Sequence, residues 1–126
     1  MSYVQVHSVN VTTNAGGVGI GYTPVVTGAV STVIYKAAAV APYENTANFS
    51  IRTETTNEAV WVESLVAASK TVAPRQATHT TAGVAALYAG SGVAVLDKIK
   101  VAHDRVAINV SGAGNTTTGQ FFVVIE

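Results

Sequence analysis

A chain of 126 residues is the length of one domain, and with seven basic against seven acidic side chains, three histidines and no cysteine it carries no formal net charge. The missing thiols exclude disulfide scaffolds, thiolate metal centres and thiol catalysis, and the missing basic excess excludes the usual electrostatic binding of nucleic acid. Valine, isoleucine and threonine supply 22, 6 and 16 residues while leucine supplies three; because β-branching stiffens χ1 and suits a pleated surface, this predicts a single all-β domain over residues 1–126.

Tyr3 to Val11 reads as a first strand. Val4 and Val6 alternate with Tyr3, Gln5 and His7, then Val9 and Val11 resume one residue out of phase, which predicts a bulge or break near Ser8. Asn14-Ala15-Gly16-Gly17 is turn chemistry, and Val18, Ile20 and Tyr22 alternate with Gly19 and Gly21 beyond it, so the two segments are expected to form a hairpin. Gly28 to Ala41 is long and apolar on both faces, as a central strand is. Pro42 to Thr46 turns the chain, and Phe49, Ile51 and Thr53 then alternate with Ser50, Arg52 and Glu54, one face buried and the other wet.

Glu58 to Lys70 fits two templates, since Val62, Leu65, Val66 and Ser69 make a helical stripe whereas Val60-Trp61-Val62-Glu63 makes a strand; the strand is preferred. Ala73 to Gly83, with its proline, threonines and glycine, is expected to be a long surface loop. Short strands are expected at Val84 to Tyr88, Val93 to Val101 and Arg105 to Val110. Val106, Ile108 and Val110, the loop Ser111 to Thr118, and Phe121, Val123 and Ile125 read as a closing hairpin. About eight antiparallel strands parted by glycine-rich turns predict a β-sandwich or jelly roll.

The candidate chemical motifs fail on inspection. Gly114 to Gly119 has the glycine spacing of a phosphate loop, but Gln120 and Phe121 stand where the phosphate clamp needs lysine and a hydroxyl. Gly17-Val18-Gly19-Ile20-Gly21 has a period of two and belongs in a strand. His7, His79, His103, Asp97 and Asp104 lack the paired spacing of a zinc or hydrolase site, and Glu54, Glu58 and Glu63 read as solvated rim charges. No catalytic residue, cofactor or metal is therefore expected. No run approaches the ~20 apolar residues of a membrane span, and the start Met1-Ser2-Tyr3-Val4-Gln5 lacks a basic leader, so synthesis in the cytoplasm is expected.

Phe49, Phe121 and Trp61 fall on buried phases, whereas Tyr3, Tyr43 and Tyr88 lie near turns and are interface candidates. Pro74 and Arg75 join them, because a guanidinium on a proline-stiffened loop suits an interface core; the alternative is that Arg75 only ties the loop to its own domain. With 48 % hydrophobic and 11 % charged residues the chain has little charge to cover its surface, which is expected where subunits pack together.

The segments Ala73-Pro74-Arg75-Gln76-Ala77-Thr78, Val95-Leu96-Asp97-Lys98-Ile99 and Asp104-Arg105-Val106-Ala107-Ile108 resemble small virion proteins of tailed bacteriophages. The close from Gly112-Ala113-Gly114 to Gly119-Gln120-Phe121-Phe122-Val123-Val124, and the opening from Val9 to Gly17 with Tyr22-Thr23-Pro24, are similar to the same group. The resemblance implies a head decoration (cement) protein on the capsid surface. Its partners would be the major capsid protein and copies of itself as a homodimer or homotrimer, with no nucleic acid, membrane or small-molecule substrate. The alternatives are a tail, connector or fibre component, or a non-catalytic carbohydrate- or partner-binding module.

Overall fold

The structure, a computed structural model, describes residues 4–84, 86–87 and 95–126. Its strands are β1 (Gln5–Thr12), β2 (Gly19–Tyr22), β3 (Val26–Ala37), β4 (Asn48–Thr53), β5 (Ala59–Glu63) and β6 (Lys70–Val72), followed by β7 (Gln76–Ala77), β8 (Leu96–Asp97), β9 (Ile99–Asp104), β10 (Val106–Ser111) and β11 (Thr118–Ile125). Sheet A has the order β1-β11-β3-β6, with β9 also pairing β3; sheet B has the order β2-β10-β4-β5; β7 and β8 make a two-stranded arm. All these ladders are antiparallel.

The pairings nest. The first strand joins the last, β2 joins β10, β3 joins β6 and β9, and β4 joins β5. A long hairpin rolled up on itself has this order, which is that of a jelly roll and of an all-β antiparallel sandwich. β9 covers Val26 to Val30 of β3 and β6 covers Val33 to Tyr35, so the two share one place in the roll. The chain between them leaves the sandwich as the β7–β8 arm.

The core follows from the period of two. Val9, Val11, Val30, Val33, Tyr35, Phe121, Val123 and Ile125 of sheet A meet Phe49, Ile51, Trp61, Val106, Ile108 and Val110 of sheet B. Phe49 sits at its centre, edge-on to Tyr35, Trp61 and Phe121 at 4.9, 5.3 and 5.0 Å between centroids, and each such pair adds about 0.5–1.5 kcal/mol to the burial itself. Along one side of the sandwich β2 rests on β1: a Cβ on Gly21 would meet Val9 Cγ1 at 2.7 Å and Val11 Cγ2 at 2.8 Å. On the other side Lys70 of β6 holds Glu63 of β5 at 2.8 Å, and Glu63 also accepts from Trp61 Nε1.

Several sequence expectations change. Among the described residues eleven strands replace about eight, because the sixth place is split and the arm is added. β1 runs unbroken from Gln5 opposite Ile125 to Thr12 opposite Thr118, so there is no bulge near Ser8; Val4 and Val6 simply point outward, 65 % and 59 % exposed. The turn at Asn14 to Gly17 and the loop from Ser111 to Thr118 both reverse the chain, yet each links strands of opposite sheets and neither closes a hairpin. Glu58 to Lys70 contains strand β5 and no helix. The expected loop from Ala73 to Gly83 includes β7, and the strand expected at Val84 to Tyr88 lies partly outside the described residues, as does the start of Val93 to Val101.

Candidate interaction surface

The described residues bring no three of His, Cys, Asp and Glu together at metal-binding distances. His79 and His103 are exposed, and the His103 amide donates to Thr27 Oγ1. His7 is on β1, and its Nε2 is buried with no partner among the described residues. Asp104 is a structural carboxylate: burial opposes its charge, but the amides of Arg105, Thr55 and Thr56 and the Thr55 hydroxyl prevail and hold it below the usual aspartate range. That bond set ties the Glu54 to Glu58 turn to the β9–β10 junction. Beside it Arg105 pairs with Glu54 and stacks over Tyr22, its guanidinium carbon 4.1 Å from the ring centroid.

The glycine-spaced loop near the C terminus is equally structural. Gly112 and Gly114 adopt φ of 63° and 90°, and a hydroxyl network links Thr117 Oγ1 to Thr13 Oγ1 at 2.9 Å and to the Ala113 carbonyl at 2.8 Å. It pins the loop to the end of β1 and offers no lysine to an anion.

The expected contact residues are redistributed. Tyr43 is not at an interface: it is 6 % exposed, stacks on Tyr35 at 5.7 Å and donates its hydroxyl to the Val11 carbonyl at 2.6 Å. Its place beside a turn misled, because Gly119 opens room for the ring to swing inward; a Cβ there would lie 2.5 Å from Tyr43 Cε2. Pro74 is buried rather than presented. Arg75 is exposed, but its Nη1 donates to the Ser31 carbonyl at 3.1 Å and the Pro74 carbonyl at 2.7 Å. The Ser31 carbonyl lies where β9 has left β3 and β6 has not yet joined it, so the guanidinium ties the base of the arm to its own sandwich. Tyr3 and Tyr88 lie outside the described residues.

A different surface emerges on the outer face of sheet A. Register places Val6, Val124 and Thr32 in one row and Ser8, Phe122, Ile34 and Thr71 in the next. Asn10, Gln120 and Lys36 make a third row. The middle of this face holds no charged side chain; Lys36 stands at one end and the Lys98–Glu126 ion pair at the other. At the Lys36 end, Asn10, Gln120, Thr118 and the alanines Ala37 to Ala39 line a shallow groove of about 270 Å³ with no aromatic wall. The signal for the face lay in β11, where Phe122 and Val124 occupy the phase opposite Phe121 and Val123.

No protein-family model matches the chain, and no curated protein matches it. A solved structure, "Crystal Structure of FLHE", is similar over 99 % of both chains with a TM-score of 0.46 at 9 % identity, too slight a likeness to carry an argument.

Proposed function

We propose that this chain is a non-catalytic structural protein of a tailed-bacteriophage virion, a decoration or cement protein that lies on the capsid lattice and stabilises the head. The observation that supports the reading best is the outer face of sheet A, where Val6, Phe122, Val124 and Ile34 sit among hydroxyls and amides with no charge between them. Such a face suits burial against a neighbouring protein, since interface cores are depleted of charge. A capsid packed with DNA is under outward pressure, and a small protein that bridges capsomers adds contact area that opposes their separation. On this reading the partners are the major capsid protein and further copies of this chain. The jelly roll recurs in capsid and lectin domains, which is a likeness of architecture alone. A sugar-binding module would use the Asn10–Gln120–Lys36 groove, but stacking on a sugar needs an aromatic wall that the groove lacks.

Densitometry of purified particles tests the reading. A band near-stoichiometric with the major capsid protein is expected; a trace band would assign the chain to a tail, connector or fibre, and no band would remove it from the virion.

A further inference from the structure

We infer that two copies of this chain pair through β1, antiparallel about a two-fold axis at Ser8, so that two copies of sheet A become one continuous sheet. This goes beyond the virion role and does not depend on it.

β1 is the end strand of sheet A. The Thr13 amide donates to the Thr117 carbonyl at 2.8 Å, and the register of Thr12 opposite Thr118 then sets the alternation along the strand. Val11, Val9 and His7 turn their main-chain groups toward β11, while Val6, Ser8, Asn10 and Thr12 turn theirs to the open side. Each of those four residues is exposed.

The other outer strands carry features that discourage a further strand. β2 has four residues and lies against β1 through Gly19 and Gly21. β5 is irregular opposite Ile51 and Arg52 and ends on Glu63. β6 has three residues and begins with Lys70, and β9 is irregular opposite Val26 to Gly28 and carries the exposed Lys100. Charges, bulges and shortness are the means by which sheet edges are kept from pairing. β1 has eight residues in unbroken register, with no proline, lysine, arginine or acidic residue.

The partner that fits this edge is the same edge. With a side-chain period of two, antiparallel self-pairing keeps inner and outer faces matched only when the two-fold axis passes through a residue. An axis at Ser8 sets Ser8 opposite Ser8 and Val6 opposite Asn10, all with outward-turned amides and carbonyls. The pairing runs from Val6 to Asn10 and stops short of Thr12, whose carbonyl Gly19 approaches so closely that a Cβ would lie 2.8 Å from it; at Asn10 the approach of β2 is looser, a Cβ on Gly21 lying 3.8 Å from its carbonyl. Neither copy brings a charge to the seam, and the rows Val6–Val124 and Ser8–Phe122–Ile34 run on across it.

The chain has no cysteine, so a single introduced thiol reports proximity cleanly. In sedimentation of the purified protein the wild type is expected to dimerise with rising concentration, and Ser8→Cys to form a covalent dimer on oxidation, while Val62→Cys, exposed on β5, does not. Ser8→Pro removes an outward-facing amide that takes no partner among the described residues, and Val6→Lys places a charge at the seam; both should abolish the dimer and leave the far-ultraviolet circular dichroism unchanged. Should Ser8→Pro fail to fold, Val6→Lys decides. A wild type that stays monomeric at every concentration, a dimer that survives Val6→Lys, or equal cross-linking of Val62→Cys would overturn the pairing.

Discussion

Truncating Tyr43 to alanine would remove a ring that packs on Tyr35, Phe49 and Phe121, with centroids 5.7, 5.9 and 6.4 Å away, and a hydroxyl held at 2.6 Å by the Val11 carbonyl. Loss of a fully packed aromatic ring costs about 3–5 kcal/mol, and the 6 % exposure of Tyr43 puts it in that class. In a domain of this size about 1 kcal/mol moves the Tm by roughly 3–5 °C, so the Tm of Tyr43→Ala should fall by roughly 10–25 °C. Tyr43→Phe keeps the ring, and the Val11 carbonyl keeps its ladder partner Gly119, so its cost should be near about 1 kcal/mol. Denaturant titration of the three proteins measures both numbers. A Tyr43→Ala variant within about 1 kcal/mol of wild type, or a Tyr43→Phe variant as damaged as Tyr43→Ala, would refute the packing argument. The same residue has a signature in alkali. Burial, aided by Tyr35, pushes the Tyr43 phenol up from 10.0, and burial raises Tyr35 as well. A folded-state value above the unfolded one gives stability that is whole below about pH 10 and declines as pH rises further, because the unfolded chain ionises first. Tyr43→Phe should remove part of that alkaline decline.

Asp104 behaves in the opposite sense: its carboxyl is held below 3.8, so the stability it contributes is present above about pH 4 and lost as pH falls through the depressed folded value. Asp104→Asn should start less stable at neutral pH and show a shallower acid limb in a melting series. Gly21→Val should cost about 1–3 kcal/mol by driving side-chain carbons into Val9 and Val11, measured by denaturant midpoint; an unchanged midpoint would mean that β2 does not rest on β1. Arg75→Ala, which removes the bonds to the Ser31 and Pro74 carbonyls, should lower stability by no more than about 1 kcal/mol, and, on the proposed virion role, leave attachment to stripped particles unchanged; lost attachment would return Arg75 to the interface. Chelator should leave the melting curve where it is, and a lowered Tm would bring His7, with its unpartnered Nε2, back as a ligand.

Strands were legible in the sequence where one face is buried and the other wet. Phe49, Ile51 and Thr53 in β4 and Phe121, Val123 and Ile125 in β11 alternate without exception, and the structure buries each of them. Pairing was not legible, for a physical reason. Turn residues such as Asn14 and Gly17 state that the chain reverses, whereas the partner is decided by which apolar faces meet. Away from its β4–β5 tip, the rolled hairpin puts consecutive strands of the sandwich in opposite sheets, so the reversals at Asn14 to Gly17 and at Gly112 to Thr117 carry no pairing information. β1 misled for a related reason: valine on its outward face has the same pattern as a change of phase, and the register with β11 is what separates the two.

The site shows the same division between local and long-range information. Closeness to a turn made Tyr43 a surface candidate, yet the decisive residue, Gly119, is 76 positions away, in the inward phase of β11 with Phe121, Val123 and Ile125. A glycine in a core phase leaves a gap that a ring from another segment can fill, and here Tyr43 and Tyr35 fill it. Leucine carries a second lesson. Leu65, Leu87 and Leu96 are 65 %, 39 % and 56 % exposed, so none of the leucines is in the core. The pleated inner faces take β-branched and aromatic side chains, and the leucines fall on connections and on the arm. The β-branched bias of the composition therefore matches what the sandwich encloses, with Val30, Val33, Val106, Ile51, Ile99 and Ile108 shut away from solvent.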